Sequence, residues 1–234
     1  MMTCRLFPLA LLLPVVLSSC GETFMEVATR NQADLDALRT DLKKLGELIA
    51  ANPPAKDAAP ALEPAPVFKE DDEAGSNTAL LPWELLADPT KEIPNDEWIN
   101  LYYSNGIENL FVWSTWGDKK AFENYEAEIK RAAALRYLVA YQKIKHEAPA
   151  VDAQLNYRIG GAVLAIYVFD RTKQEIVCSF PVAAMSDAEV NYQYKENENR
   201  QSAAQSWARS NLWENLRESV LKGLNEKTGG SFSD

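Results

Sequence analysis

The stretch from Tyr157 to Met185 constrains the fold more than any other. Between Ala162 and Phe169 no charged side chain interrupts the chain, and a second apolar run follows the short polar link Asp170-Arg171-Thr172-Lys173. Side chains alternate faces along a strand, so Val163, Ala165, Tyr167 and Phe169 share one face and Leu164, Ile166 and Val168 the other. Both sets are apolar, so the strand must be covered on each side, inside one domain or in an assembly. The link is too short for a crossover, so a strand at 157–169 and one at 174–185 pair antiparallel. Gly160-Gly161 marks a bulge or bend, and Pro181 puts the second of these strands at an edge or a bulge.

Helices are needed to cover that sheet, and the flanking sequence supplies them. Asp118 is placed to cap a helix in which Ala121, Phe122, Tyr125, Ile129, Ala132 and Ala133 fall on one face, ending near Leu135. The period then drops to two at Tyr137-Leu138-Val139-Ala140-Tyr141, which opens a strand reaching about Lys145. After a polar stretch, Asn191 to Gln201, a final helix over 202–225 carries Trp207, Ser210, Leu212, Trp213, Leu216, Val220, Leu221 and Leu224 as a stripe to lie across the sheet. Upstream, Pro82, Pro89 and Pro94 break the segment from Leu80 to Trp116. Pro94 can start a helix toward Ser104 with Asn105-Gly106 as its stop, and Ile107–Trp116 is a short helix or a strand. The expected class is α+β: an antiparallel sheet of about three strands flanked by helices. All six tryptophans follow residue 79, so one globular domain over 80–228 is expected, with a flexible tail at 229–234.

Before that domain two segments of different character appear. Phe24, Ala28, Asn31, Leu35, Leu38, Leu42, Leu45 and Ile49 are spaced 4, 3, 4, 3, 4, 3 and 4 residues apart, an unbroken heptad seam. The spacing predicts a coiled-coil segment over 20–51, its rod from Phe24 to Ala51 roughly 40 Å long at ~1.5 Å per residue, that self-associates in parallel through this seam as a homo-oligomer. Asn31 is the polar seam member that would fix register, and Asp34 and Arg39 would attract across the pair. The same stripe also suits a single amphipathic helix lying on the chain's own body or on a membrane interface. Residues 52–79 hold Pro53, Pro54, Pro60, Pro64 and Pro66, then the acidic run Glu70-Asp71-Asp72-Glu73, and are expected to be a disordered linker.

At the start of the chain, Leu6–Leu17 is apolar and uncharged, preceded by Arg5 and followed by Ser18, Ser19 and Cys20. As a helix it spans roughly 18 Å at ~1.5 Å per residue, short of the ~20 residues that cross a bilayer. The layout is that of an export signal over 1–19. Leu17-Ser18-Ser19-Cys20 resembles the lipobox of bacterial lipoproteins: an aliphatic residue, two small residues and cysteine. The resemblance covers about the first 20 residues and carries no information on the globular domain. It implies cleavage between Ser19 and Cys20, a diacylglycerol on the Cys20 sulfur, and an acyl chain such as palmitate on the new amino group. Two or three chains anchor firmly where one binds marginally. Gly21 stands where enteric bacteria place an aspartate to retain such proteins in the inner membrane. The family rule therefore favours the outer membrane, on its periplasmic face or at the cell surface.

Charge and cysteine usage narrow the partners. Without residues 1–19 the chain has 23 basic and 34 acidic side chains, a formal charge of −11. Nucleic acid is excluded as a partner, because neutralising phosphates requires clustered Lys and Arg. Of the three cysteines, Cys4 leaves with the signal and Cys20 is lipidated, so Cys178 remains as a thiol with no disulfide partner. Its apolar neighbours predict a small buried hydrophobe.

Catalytic signatures are missing from the sequence. The lone His146 supplies no multi-histidine metal site, and phosphate-cradling glycine loops and nucleophile elbows do not occur. No catalytic, metal or cofactor-binding residues are assigned, and no cofactor is expected beyond the covalent lipid. The expectation is a non-enzymatic, lipid-anchored envelope protein with a structural or protein-interaction role. A second reading, a cell-envelope hydrolase or a carbohydrate- or peptide-binding module, rests on the aromatics Trp98, Tyr102, Trp113 and Trp116 as ligand-facing residues.

Overall fold

A computed structural model of the chain describes residues 21–51, 62–69, 75–88, 107–189, 193 and 199–233. Helix α1 (Phe24–Arg30) and α2 (Gln32–Ala50) open it, separated by Asn31. Then come β1 (Val67–Lys69), β2 (Thr78–Pro82), α3 (Glu84–Ala87), α4 (Ile107–Ser114) and α5 (Tyr125–Ala134). The second half holds β3 (Tyr137–Glu147), β4 (Ala150–Val151), β5 (Tyr157–Arg158), β6 (Gly161–Asp170), β7 (Glu175–Met185), α6 (Arg200–Thr228) and β8 (Ser231–Ser233).

The main sheet has the order β2-β3-β6-β7. The apolar hairpin occupies the predicted place: β6 is internal, paired antiparallel with β3 and β7. Gly161 starts β6, and Pro181 sits opposite Ala165 on β7, at the sheet's edge in this order. Each face of β6 is covered. Tyr167 and Phe169 join a cluster built from α1, α2, α4 and α5, while Leu164, Ile166 and Val168 join one closed by α6. The class is therefore mixed helix and sheet, with helices on both sides of a single sheet.

A fourth strand is added to the three expected from sequence, and it comes partly from the supposed linker. Thr78–Pro82 pairs with β3 in parallel, Leu80 opposite Val139, and all five of its residues are buried. Asn77 fixes the entry: its side-chain oxygen accepts from Val67 N at 2.7 Å and its Nδ2 donates to Ala65 O at 3.0 Å. The expectation of a disordered linker over 52–79 thus fails for 62–69 and 75–79; residues 52–61 and 70–74 lie outside the described residues. The expected tail fails likewise. Gly229, at φ +67°, ends α6 in the left-handed conformation glycine tolerates, and β8 then pairs with β1, burying Phe232 against Phe68.

The heptad seam takes the alternative course. Leu35, Leu38, Leu42 and Leu45 are each 1 % exposed or less in the single chain, and Phe24, Ala28, Asn31 and Ile49 are buried too. All but Asn31 belong to the cluster that covers one face of the sheet. The seam predicted to pair with a second copy is occupied by the chain's own body, so among the described residues α1 and α2 pack into one unit with the elements expected over 80–228. Two polar contacts hold α2 down. Asp41, 8 % exposed, accepts from Arg171 Nε at 2.6 Å and from Gln174 Nε2 at 2.7 Å, both in the β6–β7 turn. Arg171 Nη1 also donates to the carbonyls of Ala132, Ala133 and Leu135, which satisfies the end of α5. Asp34 and Arg39 have partners within the chain: Lys130 Nζ lies 2.8 Å from Asp34, and Arg39 bonds Asp36 and stands over the Phe111 ring.

Two helices start or face differently from expectation. α5 begins at Tyr125, not near Asp118, because the backbone of 117–121 is engaged by the N-terminal segment. On α6, Leu212, Leu216, Val220, Leu221 and Leu224 cover the sheet, but Trp207 is 47 % exposed. There the buried positions are Ala203, Ala204 and Ala208, whose small side chains admit the β4–β5 hairpin. Gln205 completes the contact by accepting from Val151 N and donating to Pro149 O. The helix expected at 94–104 lies outside the described residues; Ile107–Ser114 resolves as helix.

Candidate functional site at the N-terminal junction

Of the residues the sequence singles out, Trp113 and Trp116 lie against the first turn of the described fold, and the positions of Ser19 and Cys20 immediately precede it. Gly21 is the first described residue, so Ser19 and Cys20, the cleavage and lipidation positions, lie just outside. From Glu22 onward the chain is held. Ala121 N donates to Glu22 O at 2.9 Å, Phe24 N to Lys119 O at 2.9 Å and Met25 N to Gly117 O at 3.1 Å, with Thr23 opposite Lys120 in an antiparallel bridge. Gly117, at φ +62°, makes the turn that presents this loop. Thr23 then starts α1 through a capping box: its hydroxyl accepts from Glu26 N at 3.2 Å, and its own N–H donates to the Glu26 carboxylate at 2.8 Å.

Beneath the junction sits an aromatic cluster. Phe24 packs edge-on against Trp116 (5.3 Å between centroids), Phe122 (5.2 Å) and Tyr125 (4.9 Å). Trp113 meets Phe122 at 5.3 Å and Tyr125 at 6.0 Å. Tyr125 is buried, its hydroxyl donates to Leu110 O, and burial pushes its pKa up to about 12. These rings hold the loop to α1 and α5. Trp113 and Trp116, read from sequence as ligand-facing, are half-buried in this cluster; Trp98 and Tyr102 lie outside the described residues. Phe122, which the sequence placed on a buried helical face, is 48 % exposed, and Met25, on α1, is 50 % exposed. Lys119 Nζ rests over the Trp116 ring at 4.7 Å.

Electrostatics reinforce the same junction. Arg30 is shared between Glu22 and Glu126, with Nη2 at 2.6 Å from the latter. Its hydrogen bonds hold both carboxyls below their ordinary range and raise its own affinity for the proton. Asn31, the seam's polar member, sits at the break between α1 and α2, where Nδ2 donates to Val27 O at 2.9 Å. Its Oδ1 is buried without a hydrogen-bond partner. Asn31 therefore marks the junction between α1 and α2.

Elsewhere the geometry separates the groups that chemistry would need together. His146 lies opposite Ala162 and Cys178 opposite Val168, six residues apart along β6 and so about 20 Å at ~3.3 Å per residue. Cys178 is fully buried, as its neighbours predicted. His146 packs near Trp213, 5.3 Å between ring centroids, and burial with nearby Lys143 and Arg209 holds its pKa down. A groove of about 500 Å³ runs between β7 and α6 beside Phe180, Val182, Lys222 and Gly223. Among the described residues no helix is long and apolar enough to cross a membrane.

No protein-family profile matches the chain, and no curated protein matches it. Among solved structures, a candidate lipoprotein from Caulobacter crescentus aligns with a TM-score of 0.32 at 10 % identity, over 68 % of this chain and 94 % of that one. A similarity of that size carries no argument about fold or task.

Proposed function

We propose that this chain is a lipid-anchored protein of the bacterial cell envelope, acylated at Cys20, with a non-enzymatic structural or protein-interaction role. The observation that carries the reading is the continuity between the lipobox and the fold. Leu17-Ser18-Ser19-Cys20 places the cut one residue before Gly21, and the folded body takes hold of the chain at Glu22. A chain beginning at Cys20 therefore keeps every hydrogen bond of the junction. Gly21 in place of aspartate favours the outer membrane, on its periplasmic face or at the surface. The seam is occupied within one chain, which supports a monomeric body rather than a self-associating stalk.

The test is mass analysis of the N-terminal peptide of protein isolated from its native membrane, together with fatty-acid labelling of a Cys20→Ser variant. Diacylglyceryl and acyl mass on Cys20, lost in the variant, is the expected result. An N terminus at another residue, or labelling that survives the substitution, overturns the reading. Crosslinking in the envelope then identifies what the body touches.

A further inference from the structure

Lipidation at Cys20, on which this inference rests, fixes more than an address, because the chain after it is short and pinned. From Cys20 to Thr23 three residues reach at most about 11 Å. Thr23 is bridged to Lys120 across a strand-pair spacing of about 5 Å, so Lys120 stays within about 16 Å of the acylated residue, and the Gly117–Phe122 loop stays near it. The body cannot swing away from the bilayer on a tether, as a free rod or linker at this point would allow.

The surface presented there has the composition of a membrane interface. Phe122, 48 % exposed, packs edge-on against Phe24 and the partly exposed Trp116, and Met25, 50 % exposed, is held to the same loop by its N–H to Gly117 O. Trp and Phe favour the headgroup boundary, where an apolar ring meets a wet edge. Lys119 and Lys120 flank them with long stems able to lie along that boundary. Formal charge on the face is slightly negative, −1 from the four carboxylates of Glu22, Glu26, Asp118 and Glu126 against the three cations Lys119, Lys120 and Arg30, with Arg30 taken up by Glu22 and Glu126. Attraction to anionic lipid is therefore not the driving force, and burial of Met25, Phe122 and Trp116 is.

We propose that the Gly117–Phe122 loop with Met25 and Trp116 is a membrane-docking face that seats in the interface of the bilayer holding the Cys20 lipid. The α1–α4–α5 corner then faces lipid, and α6, across the sheet, faces away. The apolar patch and the anchor act together, one supplying local concentration and the other orientation.

The test uses the mature chain from Cys20 in phosphatidylcholine vesicles with brominated acyl chains. The chain is either lipidated by its host or coupled through the Cys20 thiol to a maleimide phospholipid. Coupling makes the docking result independent of natural acylation, which mass analysis decides separately. Tryptophan fluorescence is expected to be quenched on brominated relative to ordinary vesicles. Most of that quenching should vanish in Trp113→Phe/Trp116→Phe and persist in Trp207→Phe, since Trp207 is exposed on α6. Met25→Glu/Phe122→Glu puts charge on two half-exposed side chains, of which Phe122 also packs against Phe24, Trp113 and Trp116, while Met25→Glu alone leaves that cluster intact; with circular dichroism and melting unchanged, each should reduce the quenching as well. Quenching that survives both double variants, or that depends on Trp207 instead, overturns the proposal. Absence of quenching in the wild-type chain overturns it too, and leaves the corner to a protein partner or a second copy.

Discussion

Removing the carboxylate of Asp41 tests whether α2 is part of the body. Arg171 and Asp41 have side chains 10 % and 12 % exposed and meet at 2.6 Å. Deleting one member of such a pair leaves the other buried and uncompensated, which costs ~3–5 kcal/mol. Asp41→Ala also strips Gln174 of its acceptor and loosens the guanidinium that serves three carbonyls at the end of α5. For a chain of this size each kcal/mol moves the melting temperature by ~2–4 °C, so a fall of roughly 6–20 °C is expected. Asp41→Asn keeps the shape and one acceptor, and should lose less, about 1–3 kcal/mol. Asp41→Leu combined with Arg171→Met replaces the pair by apolar groups and should recover part of the Asp41→Ala loss. Thermal and urea unfolding, followed by far-UV circular dichroism and tryptophan emission, measure all four. On a free stalk Asp41 would be solvated at the flank of the seam, and alanine would raise helix propensity by several tenths of a kcal/mol. An Asp41→Ala chain as stable as wild type would refute the docked helix.

The same geometry makes other commitments. Leu45, wholly buried, should cost ~2–5 kcal/mol on truncation to alanine, and the chain from Gly21 onward should sediment as a monomer; a stable oligomer broken by Leu45→Ala would restore the coiled coil. His146 binds its proton less readily folded than unfolded, so the unfolded state gains protons first as pH falls. Stability should therefore drop between about pH 7 and pH 5, and His146→Phe should flatten that limb in pH-dependent melts. Cys178 has no exposed surface, so a thiol reagent should titrate it only on unfolding; fast reaction in the native protein would contradict its burial.

What the sequence made legible follows from how local each signal is. The β6–β7 hairpin could be read because its period-two pattern and its four-residue turn lie within thirty residues, and both apolar faces demanded cover. β2 could not. Thr78-Ala79-Leu80-Leu81-Pro82 is five residues long, ends in proline, and pairs in parallel with a strand more than fifty residues away, so nothing nearby announces it. Its proline falls at the last paired position, opposite Tyr141, where a missing donor costs least.

The seam fails for a different reason. A straight helix drifts only ~20° per heptad from a 3.5-residue repeat, so over four heptads a coiled-coil seam and an amphipathic stripe coincide. Two residues did hold the answer. Asn31 stands where α1 ends, and Asp41 flanks the seam yet is buried, positions that a two-stranded coil would leave tolerable and a docked helix must satisfy. Moving this helix from stalk to body reverses the meaning of the anchor. A coil would have lifted the domain roughly 40 Å from the bilayer at ~1.5 Å per residue. A docked helix, pinned at Thr23, instead keeps the Gly117–Phe122 loop close to Cys20 through the Thr23–Lys120 bridge, so the lipid proposed there would set which side of the body meets the membrane.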